Sequence, residues 1–217
     1  MYETSIDMFG YYINLDTRLD RKEHINANVI KRYPFFKNVQ RINAVYHRNG
    51  ALGCALSHQY ALKKFIYELN QDFLMIIEDD LVILNESNFL AFCKDFESIR
   101  NSDKWDIIVF TPRGDRVPGD KEITEHHFQR IRNNQTTTGY IIKRAFAEVL
   151  LQNISESIRL LQNGVELDTC AIDQYWKRLQ DTYRFYYYQN IYAGQLVGYS
   201  SIENRHVDYN ERYLNQT

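Results

Sequence analysis

The stretch Phe73-Leu-Met-Ile-Ile77 is followed directly by Glu78-Asp79-Asp80, and it is the clearest buried strand in the sequence. A short, continuous apolar run is typical of a strand that is covered on both faces of a sheet. Residues 8–15 form a second near-continuous run of this kind. Helical patterns alternate with these and other short apolar runs, which predicts an α/β fold with a mostly parallel central sheet flanked by helices.

The remaining elements are read from the same periodicities. We predict strands over residues 8–15, 39–44, 73–77, 106–110, 138–142 and 185–188. We predict helices over residues 17–33, 54–69, 86–100, 144–162 and 168–180. Residues 111–124 contain two Pro and two Gly and are predicted to form a long loop. No internal repeat or linker divides the chain, so we expect a single domain over residues 1–217.

Composition excludes several classes of protein. Hydrophobic residues make up 44% and charged residues 25% of the chain, as in globular proteins. The net charge of −2 argues against nucleic acid or an anionic membrane as the main partner, since both require a basic surface. No apolar run approaches the roughly 20 residues of a membrane span. The N-terminus lacks a signal-peptide pattern, so we expect a cytoplasmic or host-cell soluble compartment with reduced thiols.

Polar side chains follow two of the predicted central strands. Asn14 and Asp16 end the first strand, and three acidic residues at 78–80 end another. If both strands are central and parallel, these groups open onto one crevice, where ligands of open α/β sheets bind. Adjacent carboxylates repel one another unless a cation is present, and oxygen ligands favour Mg²⁺ or Mn²⁺. The alternative is an exposed acidic turn or a helix cap, and spacing alone leaves both open.

Four short blocks of sequence occur in order within the first 85 residues. They are Tyr12-Ile-Asn-Leu-Asp16-x-Arg18-x-Asp-Arg21, Arg41-Ile-Asn-Ala44, Leu52-Gly-Cys-Ala-Leu-Ser-His58 and Ile76-Ile-Glu-Asp-Asp80. Together they resemble glycosyltransferase family 25, and looser blocks follow at residues 138–142, 171–176 and 198–201. The resemblance implies a GT-A-like nucleotide-sugar-binding fold, a UDP-sugar donor, a Mn²⁺ ion with Mg²⁺ as the alternative, and inversion at the anomeric carbon.

The resemblance also implies a set of donor-binding residues. They are Asn14, Asp16, Arg18, Arg21, Ala44, Gly53, Ser57, Asp79 and Ser201. Arg18 and Arg21 lie where a helix begins, and both the helix N-terminus and an arginine fork suit a pyrophosphate. Gly53 allows close approach of the backbone before a helix. A solvated helix face is the alternative for the two arginines. Ser57 and His58 lie one turn into the helix after Gly53, where they are able to face the donor, and a buried structural histidine is the alternative for His58.

The predicted metal ligands are Glu78, Asp80 and His206. Glu78 and Asp80 stand two residues apart and therefore share one side of an extended segment, as in the Asp-x-Asp motif that the family uses. We expect Asp80 to bind the ion directly, Glu78 to bind it through water and Asp79 to hold ribose. His206 lies in the C-terminal tail, and its alternative is a free surface histidine.

An inverting transfer needs a base that takes the proton of the acceptor hydroxyl. Asp173 is the predicted base, because it borders the buried stripe of a helix and partial burial raises a carboxyl pKa. Asp168 is well placed to be an ordinary N-cap. On one continuous helix the two residues lie about 140° apart, so we do not expect them to share a face.

Together with the placement of the acidic residues, the resemblance implies a metal-dependent enzyme that moves galactose from UDP-galactose to a hydroxyl group. The family includes procollagen hydroxylysine galactosyltransferases and bacterial lipooligosaccharide galactosyltransferases, and the later blocks look closer to the procollagen enzymes. Hydroxylysine of a collagen-like protein is therefore the first acceptor hypothesis, and a glycan is the alternative. A UDP-sugar-binding module without turnover and a metal phosphohydrolase are the other classes considered, and a homodimer is left open.

Overall fold

The computed structural model of the protein describes residues 8–200 and 205–210, with an eight-stranded sheet at its centre. Strands are β1 (Phe9–Asn14), β2 (Asn38–Asn43), β3 (Phe73–Glu78), β4 (Leu81–Ile83), β5 (Ile107–Val109), β6 (Asp115–Arg116), β7 (Phe128–Arg132), β8 (Gly139–Lys143), β9 (Phe185–Tyr188), β10 (Ala193–Gln195), β11 (Gly198–Ser200) and β12 (Arg205–Val207). Helices are α1 (Leu19–Ile25), α2 (Gly50–Glu68), α3 (Glu86–Ile99), α4 (Lys121–Thr124), α5 (Arg144–Gln162), α6 (Leu167–Cys170) and α7 (Ile172–Tyr175). One π-helical segment (Asn26–Ile30) and two 3-10 turns (Pro34–Phe36 and Trp176–Leu179) complete the described elements.

The central sheet has the strand order β2-β1-β3-β8-β5-β9-β7-β6. β1 pairs in parallel with β2 and β3, and β5 pairs in parallel with β9. β8 and β7 run antiparallel to both of their neighbours, so the other six strands share one direction. The predicted class, an α/β fold with a mostly parallel central sheet flanked by helices, is confirmed. Two small antiparallel sheets, β4 with β10 and β11 with β12, lie beside it.

β3 is apolar at consecutive positions because both faces of the sheet are covered. Leu74 and Ile76 pack in the layer that contains α2 and α5, whereas Met75 and Ile77 pack in the layer that contains α3. All four side chains are fully buried. Alternate residues of a strand point to opposite faces, so a strand between two helical layers loses the usual alternation of polar and apolar residues.

Several elements differ from the sequence predictions. α2 begins at Gly50, four residues earlier than expected, where the Asn49 side chain accepts a hydrogen bond from the Leu52 amide. The predicted loop at 111–124 contains β6 and α4, and β7 was not predicted, since Phe-Gln-Arg-Ile-Arg carries only two apolar residues. The predicted helix at 168–180 is interrupted at Ala171, whose ψ of 146° is not helical.

No helix within residues 8–200 and 205–210 combines the length and the apolar composition that a bilayer span requires.

Arg144, the first residue of α5, ties that helix to the end of α2. Its guanidinium donates hydrogen bonds to the carbonyl oxygens of Phe65 (3.0 Å) and Leu69 (2.8 Å). The same group lies 4.3 Å from the centroid of the Phe65 ring. The carbonyls of the last helical turn have no intrahelical donor, so Arg144 satisfies groups that α2 would otherwise leave open. This contact fixes α2, whose first half forms a wall of the site described below.

We expect Arg144→Ala to lower the free energy of unfolding by about 1.5–3 kcal/mol, the range for a hydrogen bond to a charged group. Urea denaturation followed by circular dichroism measures this change. Arg159→Ala is the matched control, because Arg159 lies on the same helix and is exposed. Equal effects of the two substitutions would contradict a stabilising role for Arg144.

Candidate active site

A cavity of about 940 Å³ opens at the carboxyl ends of β1 and β3. The two strands are neighbours, and Ile13 pairs with Glu78. The cavity wall includes the loop after β2, the first half of α2, residues 135–138, α6, α7 and the hairpin of β11 and β12. The structure therefore brings together the two polar strand ends that the sequence analysis singled out.

Asn14 joins these strand ends directly. Its side-chain amide donates a hydrogen bond of 2.7 Å to Asp79, and its carbonyl oxygen accepts one of 3.0 Å from Arg41. Asn14 is almost fully buried, so its polar atoms orient neighbouring side chains. Asp16 pairs with Arg41 at 2.7 Å, is 70% exposed and lies outside the cavity lining. Arg41 was not predicted as a site residue, although it belongs to one of the sequence blocks.

Arg21 is the counter-ion of the acidic cluster. One of its nitrogens lies 3.1 Å from Asp79 and 3.0 Å from Asp80, and its side chain is 12% exposed. Its other terminal nitrogen donates to the carbonyl oxygen of Tyr199. Arg18 lines the cavity but pairs with Asp20, and hydrogen bonding to Arg18 is the main reason that the pKa of Asp20 falls to about 2.

Glu78 receives two hydrogen bonds on one carboxylate oxygen. The Thr137 hydroxyl donates at 2.7 Å, and His58 Nε2 lies at 3.3 Å. Burial would raise the pKa of Glu78, but these hydrogen bonds and the charges nearby hold it below its usual value. His58 is fully buried, and its Nδ1 lies 2.9 Å from the Tyr140 hydroxyl. His58 is therefore a buried, hydrogen-bonded histidine, as the structural alternative describes, and it orients Glu78 at the cavity wall.

Asp80 has the opposite environment. Arg21 contacts one carboxylate oxygen, but Oδ1 is buried and has no hydrogen-bond partner among the described residues. Burial raises the pKa of Asp80 to about 7, and the negative charge of Glu78 adds to this rise. Burial also raises the pKa of Asp79, against the opposing effects of Asn14 and Arg21. A buried carboxylate oxygen without a donor is a group that a divalent cation satisfies, so these residues fit a hard metal ion.

The hydrogen bond from Thr137 to Glu78 depends on a strained backbone conformation at Thr136. Thr136 has a φ of 129°, a region that β-branched residues rarely adopt. Its hydroxyl lies 2.7 Å from that of Thr111, which holds the turn in place. The next residue, Thr137, consequently points its hydroxyl at Glu78. Thr137 was missed in the sequence analysis, where the run of three threonines was the only available signal.

Gly53 and Ser57 shape the wall formed by residues 44–48. Ser57 accepts a hydrogen bond of 2.8 Å from the Val45 amide and donates one of 2.7 Å to the Gly53 carbonyl. A Cβ at Gly53 would come within 2.6 Å of the Val45 carbonyl oxygen. The close approach at Gly53 is therefore made by the chain's own loop. Ala44 also lines the cavity, and its amide donates to the Asn14 carbonyl.

Asp168 and Asp173 both line the cavity, so the prediction that they cannot share one side is wrong. The break at Ala171 separates α6 from α7 and removes the helical geometry behind that prediction. Asp168 is also not an N-cap, because Glu166 holds that position. Asp168 is exposed and Asp173 half-buried. Burial is the main cause that raises the pKa of Asp173, the Glu78 charge adds to it, and Lys177 and Arg113 oppose it.

One predicted metal ligand is not brought to the acidic cluster. His206 is exposed and pairs with Tyr199 across the hairpin, and its neighbours Arg205 and Val207 line the cavity while His206 does not. Ser201 lies outside the described residues.

The sequence matches the family described as "Glycosyltransferase family 25 (LPS biosynthesis protein)" over residues 48–175, more than half of the 217 residues. No curated protein matches the chain. A similar solved structure is a glycosyltransferase involved in the glycosylation of the major capsid of PBCV-1, with 12% identity, a TM-score of 0.49 and coverage of 91% of this chain and 96% of that one. Another is A197 from STIV, with 13% identity, a TM-score of 0.47 and coverage of 92% and 93%. A third is UDP-glucose pyrophosphorylase complexed with UDP-glucose, with 11% identity, a TM-score of 0.43 and coverage of 83% and 72%.

We expect Asp80→Asn to stabilise the metal-free protein by roughly 0.5–2 kcal/mol, as replacements at strained functional sites commonly do. The folded-state pKa of Asp80 is raised to about 7, so the wild-type protein loses stability as the pH rises from the ordinary aspartate range towards that value. The substitution removes this loss. Chemical denaturation with EDTA at mildly alkaline pH measures the difference.

Asp106→Asn is the matched control for this measurement. Asp106 accepts hydrogen bonds from the backbone amide and the guanidinium of Arg184, so its replacement should destabilise the protein. Destabilisation by Asp80→Asn to the same extent would show that the Asp80 carboxylate is already compensated without a cation.

Proposed function

The chain belongs to glycosyltransferase family 25, and we propose that it transfers galactose from UDP-galactose to a hydroxyl group with inversion at the anomeric carbon, in a reaction that needs a divalent metal ion. The metal-dependent part is carried by one observation: a buried oxygen of Asp80, beside the paired ends of β1 and β3, has no hydrogen-bond partner among the described residues. The cavity around it, about 940 Å³, is within the size range of small-molecule sites.

We propose that Mn²⁺, or alternatively Mg²⁺, binds to Asp80 directly and to Glu78 through water. The carboxylate oxygens of Asp80 and Glu78 favour such hard cations. When bound, the metal ion supplies positive charge that stabilises the departing diphosphate of UDP. His206 stays a proposed third ligand, and this role would require the hairpin of β11 and β12 to carry it to the cavity.

The donor is proposed to lie along the strand ends. Asp79 is oriented by Asn14 at 2.7 Å and is the proposed acceptor of ribose hydroxyl hydrogen bonds. Arg18 lines the cavity and offers a guanidinium to the diphosphate, a pairing that suits the planar fork of arginine. The wall at residues 44–48, held by Ser57, limits the space for the nucleoside.

Asp173, which lines the same cavity from α7, is the proposed base. It takes the proton of the acceptor hydroxyl while the oxygen forms a bond to the anomeric carbon and the bond from that carbon to UDP breaks. Attack from the side opposite UDP inverts the anomeric configuration. A half-buried carboxylate with a raised pKa is a stronger base than an exposed one, which supports this assignment.

Two acceptor classes follow from the family. Hydroxylysine of a collagen-like protein is the first proposal, from the resemblance of the later sequence blocks. A lipopolysaccharide glycan is the second, because the matched family is described as an LPS biosynthesis protein. A screen of radiolabelled UDP-sugars against a hydroxylated collagen peptide and a lipooligosaccharide distinguishes them. Binding of the donor without transfer to any acceptor would instead favour a UDP-sugar-binding module.

We expect UDP-galactose with Mn²⁺ to raise the melting temperature and EDTA to abolish the rise. At a ligand concentration 100 times the Kd the stabilisation is about 2.7 kcal/mol, or about 5–10 °C for a chain of this size. Asp80→Asn should lose this shift, and Asp103→Asn, a carboxylate 88% exposed and outside the cavity, should keep it. A metal-dependent shift that survives in Asp80→Asn would place the ion elsewhere.

We expect Asp173→Asn to lower the rate of transfer by about 10²- to 10⁴-fold, the usual contribution of general base catalysis, while donor binding persists. The base acts in its deprotonated form, so the wild-type rate should fall as the pH drops through the raised pKa of Asp173, above the ordinary aspartate range. Steady-state kinetics across pH measures both effects. Asp168→Asn is the control, and loss of activity in it rather than in Asp173→Asn would move the base to Asp168.

A further inference from the structure

Three side chains of different chemistry meet at the floor of the cavity. Single ligand atoms of Cys54, His58 and Glu78 all lie within 4.8 Å of one another. Cys54 and His58 are four residues apart on α2 and therefore share one face of the helix, and Glu78 ends β3. The proposed transfer reaction uses neither the thiol nor the imidazole as a metal ligand.

The group has the supporting contacts that metal sites usually have. In the metal-free protein His58 donates from Nε2 to Glu78, and its Nδ1 lies 2.9 Å from the Tyr140 hydroxyl, whose oxygen accepts a hydrogen bond from Nδ1 once zinc takes the place of the Nε2 proton. The Thr137 hydroxyl fixes Glu78 from the other side. Hydrogen bonds of this kind orient metal ligands and raise their affinity. All three candidate ligands line the cavity, so a fourth position faces its interior.

The ligand types select a particular ion. Thiolate and imidazole favour Zn²⁺ over Mg²⁺ and Mn²⁺, which prefer oxygen. Three protein ligands with one open position form the usual arrangement of an accessible zinc site. A tetrahedral ion with ordinary zinc bond lengths needs ligand atoms about 3.3–3.8 Å apart, so side-chain shifts of about 1 Å would complete the site.

We propose that Cys54, His58 and Glu78 bind Zn²⁺ at a site separate from the hard-cation site at Asp80. On binding, the bond from sulfur to zinc forms as the thiol proton leaves to solvent. The bond from Nε2 to zinc forms as the Nε2 proton leaves to solvent and Nδ1 takes up one proton, so the imidazole stays neutral. The ion takes Glu78 away from its water-mediated contact with the proposed Mn²⁺ ion, so Zn²⁺ inhibits the transferase. The inhibition rests on the proposed function, whereas the zinc site does not.

Metal binding to the whole protein tests the site without an activity assay. Titration with Zn²⁺ against a chromophoric chelator should give one tight site, and Co²⁺ in its place should produce the near-ultraviolet absorption of a thiolate-to-cobalt bond. Cys54→Ser should lose the cobalt absorption and bind Zn²⁺ at least 10- to 100-fold more weakly, the range for altered supporting residues alone.

Cys93→Ser is the matched control, because Cys93 is a buried free thiol on α3, in the other apolar layer. It should keep both the zinc affinity and the cobalt absorption. The proposal is overturned if the wild-type protein shows no thiolate-to-cobalt absorption, or if Cys54→Ser binds Zn²⁺ as tightly as the wild type. The cobalt absorption is measured on the wild-type protein. It therefore tests the proposal even if Cys54→Ser fails to fold.

Inhibition is measured with Mn²⁺ present, each variant being compared with its own rate without zinc. Zn²⁺ should inhibit the wild type and Cys93→Ser at concentrations at least 10-fold lower than Cys54→Ser, matching the loss of affinity. Equal inhibition of all three proteins would overturn the inhibitory role. Zinc binding without any sugar transfer would contradict the proposed function alone, and transfer without the cobalt absorption would contradict the zinc site alone.

Discussion

The burial of Asp79 and Asp80 beside the half-buried Glu78, at the end of β3, is the constraint around which the site is arranged. Like charges at short range raise each other's pKa, and burial penalises each ionised group further. The chain compensates with residues from distant segments. Asn14 and Arg21 contact Asp79, Arg21 also contacts Asp80, and His58 and Thr137 contact Glu78. The positions of β1, α1, α2 and the turn before β8 thus all converge on one acidic cluster.

Arg21 extends this arrangement to the C-terminal hairpin. The guanidinium that contacts Asp79 and Asp80 also donates to the Tyr199 carbonyl in β11. The Leu196 amide, two residues before β11, donates a further hydrogen bond to the Asp80 carbonyl oxygen. The hairpin lines the cavity through these contacts, so the segment that carries His206 is positioned by the same cluster that the metal proposal concerns.

The sequence predicted the parts of the fold and site that depend on local pattern. The apolar run of β3 and the acidic residues after it located the carboxyl end of a central strand, and parallel pairing of β1 and β3 brings Asn14 next to it. The break at Ala171 was not predictable, because no Gly or Pro marks it and buried residues continue at helical spacing through Ile172 and Trp176. The role of Thr137 depends on the strained backbone of Thr136, which is held by a tertiary contact with Thr111.

Glu78 and Asp80, the two carboxylates that flank Asp79, differ in how fully their oxygens are hydrogen-bonded. Glu78 has two hydrogen-bond partners on one oxygen, and its pKa is lowered despite burial. Asp80 keeps a buried oxygen that has no hydrogen-bond partner within residues 8–200 and 205–210, and its pKa is raised. A bound cation therefore gains more binding free energy from Asp80 than from Glu78, because the protein already stabilises the charge of Glu78. This asymmetry supports direct metal binding by Asp80 and a water-mediated role for Glu78, and it leaves the Glu78 carboxylate turned towards His58, where the proposed zinc site lies.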